Sequence, residues 1–226
     1  MRAIILGDGA VPSRTALTTA WPDWDVEIGL VVAADGGARH ARRFELRIDQ
    51  WVGDGDSIDP GELDALDAAG VLVRRYPVAK DESDLELALL AAIEAAAHEV
   101  VIIGALGGVR IDHAIANLGL LQHPGLGDCR AWLVDERCTR ISLLAAGTLG
   151  ASAVFAGRPG DLISLIPLGK DAADVTTAGL EYPLIHEDLT LGRTRGVSNV
   201  RTVPEARVSL VNGSLLVIET PVTVGS

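Results

Sequence analysis

Short apolar runs that each lead into an acidic turn constrain this chain more than any other feature. Ala34-Asp-Gly-Gly37 follows the run Leu30 to Ala33, and Gly53-Asp-Gly-Asp-Ser57 follows Gln50 to Val52. Lys80-Asp-Glu-Ser-Asp84 comes after Val71 to Val73, and Arg110-Ile-Asp-His113 after Val100 to Ile103. Strands of a parallel sheet covered on both faces read as continuous apolar runs, and ligands of open α/β sheets bind beyond the carboxyl ends of the strands. The pattern therefore predicts that Asp35, Asp54, Asp56, Asp81, Asp84 and Asp112 converge on one crevice. Carboxylates gathered in that way repel one another unless a cation sits among them. Hard divalent cations take oxygen ligands, so the expectation is a divalent-metal site carrying a phosphate ligand.

The rhythm of the chain changes once. Up to about Glu136, runs that predict strands at 2–6, 30–34, 50–53, 71–75, 100–103 and 130–134 alternate with helical patterns near 37–45, 60–69, 84–97 and 112–122. The third helix is the best defined: Ser83 and Glu86 have capping-box spacing, and Leu85, Leu89, Ile93 and Ala96 recur on one face. Such alternation implies a Rossmann-like, mostly parallel sheet covered by helices. Beyond Arg137 the helical period stops. Runs at 139–144, 151–155, 161–167, 174–177, 207–211 and 214–219 are short, rich in Val, Ile, Leu and Thr, and separated by turn residues. Asn212-Gly213 between the last two reads as a two-residue hairpin. The expected fold is an α/β domain over residues 1–136 followed by an all-β sandwich or barrel over 137–226.

Composition removes several function classes. The formal net charge is −12 and no Lys/Arg cluster stands out, which argues against nucleic acid as a partner. Apolar residues make up 48% of the chain, so it is not disordered, and aromatics only 4%, so its core is aliphatic. The longest apolar stretch, Leu85 to Leu106, carries Glu86, Glu94, His98 and Glu99 and does not read as a membrane span. Cys129 and Cys138 have no metal-ligand spacing and read as reduced, buried thiols. A cytoplasmic protein is the expectation.

Each chemical motif also has an ordinary structural reading. Asp54 and Asp56 are two apart, so extended backbone would aim both carboxylates one way, towards a shared Mg²⁺; a polar Asx turn is the alternative. Asp81 and Asp84 stand at a helix start, where the dipole favours carboxylates whether or not they serve a site. Lys80 either neutralises these acids or touches a phosphate. Gly104 to Gly108 can offer backbone N–H groups to an anion, yet matches neither a Walker loop nor a Gly-x-Gly-x-x-Gly fingerprint. Asp112 alone could be a helix cap, and His40 and His113 lack partners at ligand spacing.

Taken in order, the motifs resemble the thiamine pyrophosphokinase family from about residue 33 to 218. The matches are Ala34 to Gly37, Gly53 to Ser57, Lys80 to Leu89, Gly107-Gly108 with Arg110-x-Asp112-His113 and Asn117, then Gly179 to Leu184 and Gly196 to Asn199. The resemblance implies an α/β domain followed by a β-sandwich, acting as a homodimer with active sites at the subunit interface. It implies that Asp54, Asp56, Asp81 and Asp84 handle Mg²⁺ and the phosphates of ATP. Asp35, Gly36, Lys80, Gly107, Gly108, Arg110, Asp112 and Asn117 would surround the nucleotide. Tyr182, Ser198 and Asn199 would bind thiamine, and an aromatic face suits a cationic thiazolium ring; a sandwich-core role is the other reading of Tyr182. Two departures stand out: Gly55 where the family often has a bulky residue, and Val109 inserted between Gly108 and Arg110.

The implied activity is pyrophosphoryl transfer from ATP to the hydroxyl of thiamine, giving thiamine diphosphate and AMP, with Asp84 or Asp56 as candidate bases. Competing readings are a pyrophosphokinase for another alcohol such as a pterin, a non-catalytic nucleotide-sensing dimer, and a metal-dependent phosphohydrolase.

Overall fold

The structure is a computed structural model that describes residues 1–147 and 150–222. The chain divides into two compact units, Met1–Cys138 and Thr139–Ser226.

The first unit is a parallel sheet with helices. Its strands are β1 (Arg2–Leu6), β2 (Ile28–Ala34), β3 (Gln50–Gly53), β4 (Leu72–Arg75), β5 (Glu99–Ile103) and β6 (Arg130–Val134), in the order β4-β3-β2-β1-β5-β6. All five pairings are parallel. Ala3 to Leu6 and Val100 to Ile103 are fully buried, as continuous apolar runs in a covered sheet require. The order reverses between β1 and β5, but the turns leaving these two strands stay together: the Gly9 amide donates to the Gly104 carbonyl at 2.8 Å.

The helices are α1 (Arg14–Ala20), α2 (Ala41–Phe44), α3 (Pro60–Ala68), α4 (Asp84–Glu94) and α5 (Ile111–Gly119). The Ser83 hydroxyl accepts from the Glu86 amide at 3.2 Å, which fixes where α4 begins. Leu85 and Leu89 are buried as expected, but α4 stops at Glu94 and Ala96 adopts φ +55°, so the helical face ends before it. Residues 37–45 are a 3₁₀ turn over Asp35–His40 running into the single turn of α2, rather than one helix. The hydrophobic pattern does not mark α1. Its sequence holds three threonines and buries only Leu17 and Ala20, so its signal is the Ser13 cap, whose hydroxyl accepts from Ala16 N–H at 3.1 Å. No helix among the described residues is long and apolar enough to cross a membrane.

The second unit is a sandwich of two antiparallel sheets. One holds β7 (Arg140–Ala145), β14 (Ser214–Thr220), β9 (Leu162–Pro167) and β12 (Asn199–Val200). The other holds β8 (Ala151–Ala156), β13 (Glu205–Leu210), β10 (Ala172–Ala178) and β11 (Glu187–Leu189). Ile163, Leu165, Leu215 and Val217 from the first meet Ala172, Val175, Ala206 and Val208 from the second in one core. β11 and β12 are too short to have shown a period. Asn212-Gly213 is not a hairpin, because β13 and β14 lie in different sheets. Asn212 bridges to Ala173, and a Cβ on Gly213 would stand 2.3 Å from the Asp171 carbonyl oxygen, so the pair carries the chain from one sheet to the other. Turn chemistry is local, and either geometry satisfies it.

A buried ion cluster ties this unit together. Arg201, fully buried, places Nη2 2.8 Å from Glu219 Oε1, while Arg140 Nη2 lies 2.6 Å from Glu219 Oε2. Arg201 N–H also donates to the Asp161 carbonyl at 2.9 Å, which seats the chain immediately after β12.

Candidate active site

Three strand exits deliver the acidic centre of the first unit. Asp35 follows β2 directly, Asp54 follows β3, and Asp84 opens α4 beyond β4. One carboxylate oxygen from each lies within 4.8 Å of the others. The backbone is shaped for the purpose. Asp35 has φ +44°, a conformation Asp tolerates better than most residues, and its carbonyl accepts from the Trp51 indole N–H at 3.0 Å. A Cβ on Gly53 would come within 2.9 Å of the Asp35 Cβ, so β3 can pass this close only as glycine.

Electrostatics distinguish the three acids. Asp35 is 4% exposed; one oxygen accepts from the Ser57 amide at 3.1 Å, and Oδ1 is buried with no hydrogen-bond partner. Desolvation raises its pKa to about 6, with the neighbouring Asp56 and Asp84 adding to the shift and Ser57 opposing it. Lys80 Nζ stands 3.0 Å from both Asp54 Oδ2 and Asp84 Oδ1. Its hydrogen bond holds the Asp54 carboxyl below its ordinary value. Asp84 goes the other way: desolvation raises it, Lys80 opposes, and the charges of Asp54 and Asp56 add to the rise. Burial works to lower Lys80, but the two carboxylates outweigh it and the net shift is upward. A buried oxygen without a donor, beside two more hard oxygens, is the donor set a small divalent cation takes. The residues present fit such an ion.

Other predicted residues lie around this centre or apart from it. Asp56 is exposed, accepts from the Ser57 hydroxyl at 2.7 Å, and its amide donates to Asp54 at 3.2 Å, the Asx turn of the structural reading. Asp81 is exposed and outside the group of three. Gly36 is buried against Asp8, whose Oδ1 would lie 2.4 Å from a Cβ there. Asp8 leaves β1 just as the other acids leave their strands, and pairs with Arg39; the same strand-exit rule that found the others could have found it. Gly107 and Gly108 form the exposed turn after β5. Arg110 and Asp112 pair with each other, both mostly exposed, and the hydrogen bond from Arg110 lowers the Asp112 carboxyl. Asn117 is buried and donates to the Ala105 carbonyl at 2.7 Å, which pins this turn to α5.

In the second unit Tyr182 is 65% exposed, so it is no core residue. Asn199 clasps its backbone from both sides: Oδ1 accepts from Tyr182 N–H at 3.0 Å and Nδ2 donates to Tyr182 O at 2.7 Å. Ser198 has φ +61°, and its amide donates to the Ser164 hydroxyl at 2.9 Å.

Residues 26–133 match the model of the thiamin pyrophosphokinase catalytic domain, and residues 155–215 that of the thiamin pyrophosphokinase vitamin B1 binding domain. The thiamine pyrophosphokinase of Bacillus subtilis is 30% identical over 209 residues, covering 92% of each chain. This chain belongs to the thiamine pyrophosphokinase family. It is therefore an enzyme of a family whose reaction carries pyrophosphate from ATP to thiamine. Thiamine pyrophosphokinase 1 of Arabidopsis thaliana is 29% identical over 207 residues, covering 82% of this chain and 75% of the relative. The crystal structure of the Bacillus subtilis enzyme superposes with a TM-score of 0.79 at 26% identity, covering 97% of this chain and 99% of the other. That of Geobacillus thermodenitrificans superposes at 0.80 with 24% identity and shares the fold. The three clustered acids fall inside the first matched segment, and Tyr182, Ser198 and Asn199 inside the second.

Proposed function

We propose that this chain transfers pyrophosphate from ATP to the hydroxyl of thiamine, giving thiamine diphosphate and AMP, with Mg²⁺ held by Asp35, Asp54 and Asp84. The observation that carries the reading is the meeting of three carboxylate oxygens within 4.8 Å, one of those acids presenting a buried oxygen with no donor. When bound, Mg²⁺ supplies charge neutralisation on the phosphates and on the oxygens that attack and leave. The residues of the chain supply position. Asp54 and Asp84 are anchored by strand β3 and the capped start of α4, and Asp35 is locked by Ser57 and Trp51. Asp56 stands exposed beside Asp54 and outside the group of three, which suits it to accept the hydroxyl proton. Asp81, Arg110 and Asp112 are exposed and able to meet the nucleotide without a packing penalty. On the acceptor side, Tyr182 offers an open aromatic face to a cationic ring, Asn199 fixes the backbone that carries it, and Ser198 adjoins them.

We further assign a cytoplasmic homodimer, as the family resemblance implies; both cysteines are free thiols, which suits a reducing compartment. Light scattering at twice the chain mass of 23.6 kDa tests the dimer.

The decisive experiment incubates the purified protein with Mg-ATP, with and without thiamine, and follows AMP and thiamine diphosphate together. Equal, thiamine-dependent appearance of both is expected. ADP or free phosphate in place of AMP would refute the chemistry. Asp56→Asn should lower kcat by at least about 100-fold with an unchanged circular dichroism spectrum, the size typical for loss of a general base.

A further inference from the structure

Lys80 takes part in two electrostatic contacts that compete with the binding of a divalent cation. Its ammonium is 3.0 Å from an oxygen of Asp54 and 3.0 Å from an oxygen of Asp84, with the Lys80 and Asp54 side chains each only 10% exposed. These two acids are also two of the three whose oxygens converge on one point. A cation drawing on the same carboxylates meets a like charge a few ångströms away, and like charges at that range oppose each other strongly when partly desolvated. The ammonium must yield or the cation binds poorly.

The local chain allows it to yield. Lys80 sits in the connection between β4 and α4, where Pro77, Val78, Ala79 and Asp81 are all exposed. Its amide donates to the Val78 carbonyl at 3.1 Å, a contact within the loop itself. The side chain is a flexible four-carbon stem ending in a point charge with three donors, able to swing without moving the backbone. The three carboxylates carry three negative charges; the ammonium offsets one of them and a divalent cation two, so the cation is the stronger counter-ion for the cluster. The ammonium is then free to meet the next anion to arrive.

We propose that Lys80 is an exchangeable counter-ion. In the metal-free protein it bridges Asp54 and Asp84 and keeps the acidic cluster from repelling itself; a divalent cation displaces it, and it transfers to a phosphate of the incoming nucleotide. The proposal rests on the metal reading given above, and it assigns Lys80 opposite effects on two ligands. Removing the charge should tighten binding of the metal alone and weaken binding of metal-nucleotide.

The test measures both affinities in Lys80→Met, Lys80→Arg and the parent. Mn²⁺ without nucleotide is titrated by electron paramagnetic resonance, and a Mg²⁺ complex of a non-hydrolysable ATP analogue by calorimetry. Lys80→Met should bind Mn²⁺ about tenfold more tightly, the lower end of what an opposite charge at contact does to a carboxylate, and bind the nucleotide complex at least about tenfold more weakly, as loss of a charged partner to phosphate does. Lys80→Arg, which keeps the charge, should bind Mn²⁺ like the parent. Equal or weaker Mn²⁺ binding by Lys80→Met overturns the counter-ion role. Unchanged nucleotide affinity overturns the transfer to phosphate. Tightening of Mn²⁺ in Lys80→Arg as large as in Lys80→Met shows that shape rather than charge is responsible, and also overturns the proposal. Asp54→Asn run in parallel separates the two layers: undiminished Mn²⁺ binding there would sink the metal site itself.

Discussion

Asp35→Asn is the substitution whose effect the structure specifies most fully. Asp35 is nearly inaccessible and its pKa rises from 3.8 to about 6, chiefly through desolvation. An acid whose folded pKa is raised holds more protons in the native than in the unfolded state between the two values. Stability then falls as pH climbs through that window and is lowest above it. A rise of about two pH units corresponds to about 3 kcal/mol of destabilisation above pH 6 and well under that at pH 4. The amide removes that term. It retains an oxygen to accept from Ser57 N–H, and Asn tolerates the left-handed backbone at φ +44°. In EDTA, Asp35→Asn should therefore be more stable than the parent by up to about 3 kcal/mol at pH 8, the gain shrinking as the pH falls to 4. Urea titrations monitored by tryptophan fluorescence at four or five pH values measure the difference, and subtraction cancels the titrating groups remote from Asp35. Added Mg²⁺ should stabilise the parent and leave the variant unmoved. A stability difference that stays flat from pH 4 to pH 8 would refute the account of a buried, charge-frustrated carboxylate.

Two further substitutions probe the second unit. Asn199→Ala removes both hydrogen bonds that clasp Tyr182; it should raise KM for thiamine about thirtyfold, on the basis of about 1 kcal/mol per bond, with KM for ATP unchanged in steady-state assays, whereas a parallel rise in both would point to general misfolding. Arg201→Met leaves Glu219, 1% exposed, still paired with Arg140; chemical denaturation should show a loss of about 2–3 kcal/mol, the size of one lost charge-assisted hydrogen bond, and a loss below 1 kcal/mol would show that the cluster relaxes freely.

Much of this protein was written in one-dimensional pattern. The parallel strands β1, β2, β3, β5 and β6 are buried on both faces, so their apolar runs need no partner to be recognised, and Ser83 marks the start of α4 by local chemistry alone. The acids at the strand exits were legible for the same reason: a strand end and a polar turn are both local. What lay beyond the pattern depended on distance in space. α1 is held by its cap and two buried side chains, too few to set a period. Asn212-Gly213 changes sheets because β10 waits beside it, which no property of the dipeptide encodes. Asn117 spends its amide on Ala105, and Asn199 on Tyr182, because backbone from other turns arrives within reach. Most of all, six strand-exit aspartates look equivalent in sequence, yet packing buries Asp35, pairs Asp54 and Asp84 with Lys80, and leaves Asp56, Asp81 and Asp112 in water. Residue type sets which groups can carry charge; the dielectric around each, and the neighbours within a few ångströms, are set only when the chain has closed on itself.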